Sequence, residues 1–281
     1  MIQFFDTLQQ ITQCDSVWAC HGISKHLNWQ VRKIFNRFPC ELAVAGSKLY
    51  VDRPLAVAAL INAMGEYDYN NMSLLKFLLA HFGGTFIDVG ANIGVYSLIA
   101  SEFAGVKVLS IEPHPATFRM LVKNIELNDR HNVNCLNLAV SSEEGELDFT
   151  NNPGSPMNRV IGSQNTRDAT LRVPSQRLDA LCNEIRLIPD FVKIDVEGHE
   201  AAVLAGFTDL ANIAKIFFIE GGEKHEVRSW MEDAGYTGPW FFHSKRQILS
   251  RSAQRRPEDP VYIHRDFFST FQTISCVSMA S

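Results

Sequence analysis

The sequence predicts an α/β chain, a mostly parallel doubly wound sheet preceded by a smaller, mainly helical segment. Three stretches carry that prediction. In Thr85–Ser97, TFIDVGANIGVYS, a short apolar strand empties into a glycine loop and then a helix. In Lys107–Glu112, KVLSIE, a second strand ends on a carboxylate, and in Pro189–Glu200, PDFVKIDVEGHE, another apolar strand ends in a cluster of ionisable groups. Apolar runs of strand length alternating with helical periodicity mark parallel strands joined by crossover helices. In such a sheet ligands gather outside the carboxyl ends of the strands, where all three stretches place their polar residues.

The elements follow in order. Phe4, Phe5, Leu8 and Ile11, then Trp18, Leu27, Trp29, Ile34 and Phe35, suggest short amphipathic helices whose apolar residues are expected to pack in a core. Residues 41–51 read as a small hairpin around Gly46. Residues 1–66 are therefore taken as an N-terminal cap and 67–281 as the main domain. Ser73 is read as the N-cap region of a helix through Phe82, closed by Gly83 and Gly84. After Glu112 comes a helix over residues 116–128, with Phe118, Leu121, Val122 and Ile125 on its buried face, then a third strand over 133–140.

Residues 151–173 are rich in turn formers and read as a loop or loose hairpin acting as a lid, with Asn151, Ser155, Asn158 and Arg159 as candidate substrate contacts. Helices are expected from His199 and from His225, and an antiparallel pair of final strands over 239–243 and 261–265. The basic run KRQILSRSAQRR between those strands is read as a solvated loop, with a phosphorylated acceptor as the sharper alternative. Tyr236, Trp240, Phe241 and Phe242 are assigned to core packing in preference to sugar stacking.

The glycine loop is informative for what it lacks. A dinucleotide loop runs G-x-G-x-x-G, whereas here the spacing is G-A-N-I-G behind an acidic residue, so a pyrophosphate is not expected. Asp88 repels a polyanion and suits an ammonium or sulfonium. Glu112 stands 22 residues after Gly90, near the spacing of about 20 expected of an acid that accepts from ribose hydroxyls. A ribosyl ligand with a positive end satisfies both carboxylates, and S-adenosylmethionine is such a ligand. Residues 138–141, at the end of the third strand, are placed beside its adenine.

These residues resemble the class I S-adenosylmethionine-dependent methyltransferases and, within them, the FkbM family. The resemblance rests on FIDVGANIGVYS, IEPHP and KIDVEGHE in this order, and covers residues 67–267. It implies a Rossmann-like, seven-stranded sheet, mostly parallel with the last strand antiparallel, and O-methylation of a hydroxyl on a small molecule or sugar. It also implies that Asp88, Gly90, Asn92 and Gly94 surround the methionine part of the cofactor while Glu112 holds the ribose. Pro113 and Ala139 complete the cofactor set, together with Asp195.

Asp195, Glu197, His199 and Glu200 are expected to crowd one corner where the acceptor meets the methyl group. Transfer to a hydroxyl needs alignment and a base. His199 is the natural base near neutral pH, Glu197 competes with it, and Asp195 positions cofactor and acceptor. Asp195, Glu197 and Glu220 also offer oxygen ligands to Mg²⁺, but the resemblance calls for no metal and none is expected. N-methylation, nicotinamide-dependent oxidoreduction and a noncatalytic glycan- or metabolite-binding module are the alternatives.

Bulk properties narrow the partners. A net charge of −5 argues against a nucleic-acid partner. Cys14, Cys20, Cys40, Cys135, Cys182 and Cys276 form no C-x-x-C pair and read as reduced thiols. The first residues lack the pattern of a secretory signal and no run reaches transmembrane length, so a cytoplasmic enzyme without a membrane partner is expected. An apolar N-terminal helix packs on its own domain or across a two-fold axis, which leaves a homo-oligomer open.

Overall fold

The computed structural model describes residues 16–66, 68–151, 158–161, 170–252, 259–275 and 278–280. Phe4, Phe5, Leu8, Ile11 and Ser155 lie outside these, as does the side chain of Trp18. The chain begins with α1 (Ser16–Ile34), the hairpin β1 (Cys40–Val44) and β2 (Ser47–Val51), α2 (Ala56–Met64) and α3 (Tyr69–Phe82). The sheet follows with β3 (Thr85–Val89), α4 (Val95–Ser101), β4 (Lys107–Ile111), α5 (Pro115–Leu127), β5 (Val133–Leu136), β6 (Ala139–Val140), β7 (Gly145–Thr150) and β8 (Thr170–Gln176). Then come α6 (Leu178–Glu184), β9 (Phe191–Ile194), α7 (Glu200–Ala205), β10 (Ile216–Ile219), α8 (His225–Asp233), β11 (Tyr236–His243), β12 (Ile248–Ser250), β13 (Val261–His264), α9 (Arg265–Ser275) and β14 (Ser278–Ala280).

Strand β3 is buried at every position because it lies between β4 and β9 with both faces covered, which is why TFIDV is almost continuously apolar. The sheet order is β14-β12-β11-β13-β10-β9-β3-β4-β5. Strands β5, β4, β3, β9 and β10 run parallel, and β13 inserts antiparallel between β10 and β11. The expected seven strands are all present, and β12 and β14 extend that edge to nine. β12 lies inside the basic run, so that run is not wholly a solvated loop. Arg251 just after it sits 3.7 Å from the Trp240 ring centroid and donates to Gly238 O.

Period-two alternation divides the core in two. Phe86, Val108, Phe191, Ile216 and Phe218 point to one face, whereas Ile87, Leu109, Val192, Ile194 and Phe217 point to the other. The first face shares its cluster with Trp29, Val44, Leu49, Val51, Leu55 and Ile61, so the N-terminal segment is continuous with the sheet's core. Two asparagines of α5 and its end fasten it. Asn124 accepts from Tyr50 N at 2.6 Å and donates to Tyr50 O, and Asn128 does the same to Lys48 N and O, so β2 is bonded as if by a neighbouring strand.

Four local expectations are corrected. Trp29 is buried, but Leu27, Ile34 and Phe35 are exposed, because α1 is one long helix with these residues on the side opposite Trp29. Helix α3 starts at Tyr69, before Ser73, and the Asp68 carboxylate that precedes it accepts the Tyr96 hydroxyl. The third strand splits at Asn137, whose side-chain amide donates to Glu112 O and Pro113 O, leaving β6 to pair with β8 in a separate three-stranded sheet. The buried face of α5 is Met120, Leu121, Asn124 and Ile125, with Phe118 and Val122 only partly covered. Tyr236, Trp240, Phe241 and Phe242 are buried, as core packing requires.

At the amino ends of the strands, Asp190 ties three of them together. Its carboxylate accepts from Thr85 N at 2.8 Å and from Lys215 Nζ at 2.5 Å, and its carbonyl accepts from Lys215 N at 2.7 Å. The opposite, carboxyl edge opens into a cavity.

Candidate active site

The cavity has a volume of about 270 Å³ and lies over the carboxyl ends of β3, β4 and β9. Its floor is the glycine loop. Gly90 adopts φ +81°, and a Cβ there would stand 1.8 Å from Asp195 O, so only glycine lets β3 and β9 end side by side. Gly90 N and Ala91 N both donate to Ile111 O, which holds the loop against β4. Asn92, at φ +52°, accepts from Ile93 N with its own side chain, an arrangement asparagine tolerates better than most residues.

That turn aims Asn92 N at Glu112 Oε2, 3.0 Å away, while His114 N donates to Glu112 Oε1 at 2.9 Å. Each oxygen of Glu112 keeps a lone pair for a ligand. Burial, with Asp195 and Asp88 adding to it against the two N–H donors, pushes the Glu112 carboxyl up to about 7. Asp88 is also buried and accepts from Ser97 Oγ at 2.6 Å, and Ser97 in turn accepts from Ser110. Burial raises its pKa and the Lys193 ammonium lowers it. A ribosyl group at Glu112 and a positive charge near Asp88 would answer both, so the residues fit S-adenosylmethionine.

A further part of the cavity lining comes from β9, the turn after it and the end of β10. Alternation puts Lys193 on the face of Asp195, and Lys193 Nζ pairs with Asp195 Oδ2 at 2.6 Å while lying 4.9 Å from the Tyr96 ring centroid. Carboxylate oxygens of Asp195, Glu197 and Glu220 lie within 4.8 Å of one another. These are oxygen donors of the kind a hard cation takes. Glu220 is pushed up to about 8 by burial, then by Asp195 and Glu197. Glu197, at φ +53°, is raised by burial, Asp195 and Glu200.

His199 precedes α7 and lies 2.9 Å from Ser141 Oγ through Nε2. Burial lowers its pKa against the pull of Glu200, so the ring is neutral at pH 7. Glu200 does not share this corner. Its buried carboxylate accepts from Gly198 N at 2.8 Å and Lys224 Nζ at 2.9 Å, and it does not line the cavity.

Asp88, Gly90, Asn92, Glu112, Pro113, Ala139, Asp195, Glu197 and His199 therefore all line one cavity. Gly94 does not. It stands at φ +90° where a Cβ would meet Leu121 Cδ1 at 2.6 Å, so its bareness serves helix packing. Of the hairpin residues, Asn158 lines the cavity, Asn151 accepts from His114 Nε2 at 3.2 Å, and Arg159 is exposed. Residues 158–161 lie against β7, with Phe149 bridged to Val160.

Sequence reasoning assigned no role to Lys193, His114 or Tyr96, and it missed Ala56, Val57 and Leu60 of α2, all of which line the cavity. Lys193 faces Asp68, Asp88, Asp195 and Asp259 and offsets their charge. Replacing Lys193 with methionine is expected to cost about 3 kcal/mol in urea denaturation at pH 8 and less at pH 6. The sign follows from Asp88, Asp259 and Glu220, whose raised pKa values let them take up protons as pH falls and relieve the unbalanced charge. A loss equal at both pH values would reduce Lys193 to a packing residue.

Residues 88–237 match the model of the methyltransferase FkbM domain. The chain is 27% identical over 208 residues to methyltransferase sdnD of Sordaria araneosa, covering 60% of this chain and 77% of that one. It is 31% identical over 157 residues to the hexuronic acid methyltransferase AglP of Haloferax volcanii, covering 52% of this chain and 61% of AglP, less than two thirds of the latter. Among solved structures, the putative transferase PH0793 of Pyrococcus horikoshii aligns with a TM-score of 0.42 at 14% identity, covering 85% of this chain and 81% of that one. With more than half its length inside the matched model, and with that model's span running from Asp88 at the cavity floor through the ionisable corner, the chain belongs to the FkbM methyltransferase family.

Proposed function

We propose that the protein is an S-adenosylmethionine-dependent O-methyltransferase acting on a hydroxyl of a sugar or other small polyhydroxylated molecule. The observation that carries this reading is the polarity of the cavity. Glu112 and Asp88 are buried in its lining, which also carries Asp195, Glu197, Glu220 and a histidine whose pKa burial lowers. When bound, the cofactor supplies an electrophilic methyl group on a sulfonium. Glu112 would accept from its ribose hydroxyls, Asp88 would favour its positive charge, and Leu138 and Ala139, which line the same cavity, would border the adenine. Asp195, Glu197 and Glu220 accept hydrogen bonds from the acceptor's hydroxyls, and His199 takes the proton of the reacting one. Such a lining disfavours an acceptor that brings its own negative charge and suits a neutral one. Asn158 and Val160 border the same cavity, which supports a covering role for residues 158–161.

Calorimetric titration tests the cofactor assignment. S-adenosylmethionine is expected to bind saturably, NAD not at all, and Glu112→Ala to weaken binding by about 10²-fold through loss of hydrogen bonds to a charged acceptor. Because Glu112 is held near pKa 7 without ligand, a cation close by lowers that value, so binding releases a proton and tightens as pH rises through 7. Repeating the titration in buffers of different ionisation enthalpy reads that proton directly. Binding of NAD alone, or of neither ligand, would overturn the reading. Release of S-adenosylhomocysteine in the presence of neutral sugars then identifies the acceptor.

A further inference from the structure

We propose that helix α1 is a docking element for an anionic lipid surface. The helix is two-faced. His26 and Trp29 are buried on its inner side, and Lys25 O accepts from Asn62 Nδ2 of α2 at 2.9 Å. On the outer side Leu27, Val31 and Ile34, continued by Phe35, recur at helical spacing and are 52%, 42%, 75% and 65% exposed. The other large apolar side chains exposed among the described residues, Tyr69, Ile188, Ile213 and Ile274, are scattered over the sequence, so the α1 stripe is a patch.

Its charge indicates what it meets. From Ser16 to Cys40 the charged residues are Lys25, Arg32, Lys33 and Arg37, with no Asp or Glu among them, although the chain as a whole carries −5. Arg32, Lys33 and Arg37 are exposed, and Arg37 lies 5.6 Å from the Phe35 ring centroid. A single apolar ridge with a cationic rim inserts between headgroups while its lysines and arginines pair with their phosphates. A second copy of the helix would set one cationic rim against another, so self-association is disfavoured. No helix among the described residues is long and apolar enough to cross a membrane, so the contact is with the surface. This departs from the expectation, read from the absence of a transmembrane run, that no membrane is involved.

The experiment is co-sedimentation of the full chain with phosphatidylcholine vesicles, with and without phosphatidylglycerol, at low and high salt. Binding is expected only with phosphatidylglycerol, and it should weaken as salt rises. Ile34→Glu/Phe35→Glu should abolish it, and Arg32→Ala/Lys33→Ala should weaken it at least about tenfold. All four positions are exposed, and unchanged thermal melting confirms that the variants fold. Equal sedimentation with both vesicle types, no sedimentation with either, or undiminished binding by the Ile34/Phe35 variant would overturn the proposal. So would a dimer in sedimentation equilibrium that the same variant dissolves, since the stripe would then be an interface between copies.

Discussion

With His199 replaced by alanine, methyl transfer is expected to slow by about 10²- to 10⁴-fold, while the affinity for S-adenosylmethionine changes little. The ring is anchored through Nε2 to Ser141, just after β6, and it lines the cavity without bonding to Glu112 or Asp88, which carry the cofactor assignment. Because burial holds the imidazole below its usual range, the rate of the parent enzyme at saturating S-adenosylmethionine should climb with pH on the acid side of that range and then level off. That limb should disappear in the variant. Glu197→Gln is the counterpart, since its carboxyl is raised by burial and by Asp195. It is expected to cost about tenfold or less, through weaker acceptor binding. If Glu197→Gln removes the limb and His199→Ala keeps it, the base is Glu197.

Gly90→Ala is expected to be the most damaging single change to the fold near the site. The added methyl would stand 1.8 Å from Asp195 O on a backbone at φ +81°. Neither partner yields easily, because Asp195 N is bonded to Val89 O and Gly90 N to Ile111 O. Overpacking and the strained φ together cost about 3 kcal/mol or more, read as a shift of the urea midpoint. Cofactor binding should be lost along with it, since Asn92 N would no longer be aimed at Glu112. A variant of parental stability that still binds would show that the loop relaxes without help from its neighbours.

The fold was largely legible because its signals are local. TFIDV, KVLSI and FVKI are short apolar runs ending at polar residues, and each became a parallel strand at the centre of the sheet. Glu112 was legible by its spacing from the glycine loop. What escaped depends on partners far apart in sequence. Lys193 reads as one polar residue in a strand, and its importance appears only when Asp68, Asp88 and Asp259 are brought around it. Glu200 reads as part of an acidic corner until Lys224, from the next crossover, draws it away. Gly94 belongs to the same loop as Gly90, yet the side chain it makes room for, Leu121, lies on another helix. Strand β12 hid in a basic run because three residues, ILS, are too few to show an alternation.

The Asp190 tie gives the sheet a fixed hinge pin. Thr85, Asp190 and Lys215 hold the amino ends of β3, β9 and β10 in one register, so rearrangement at the opposite edge need not propagate through the strands. The turns over the cavity then behave like tools in a common handle. Their length and chemistry can be exchanged while Gly90, Asn92 and Glu112 keep their alignment.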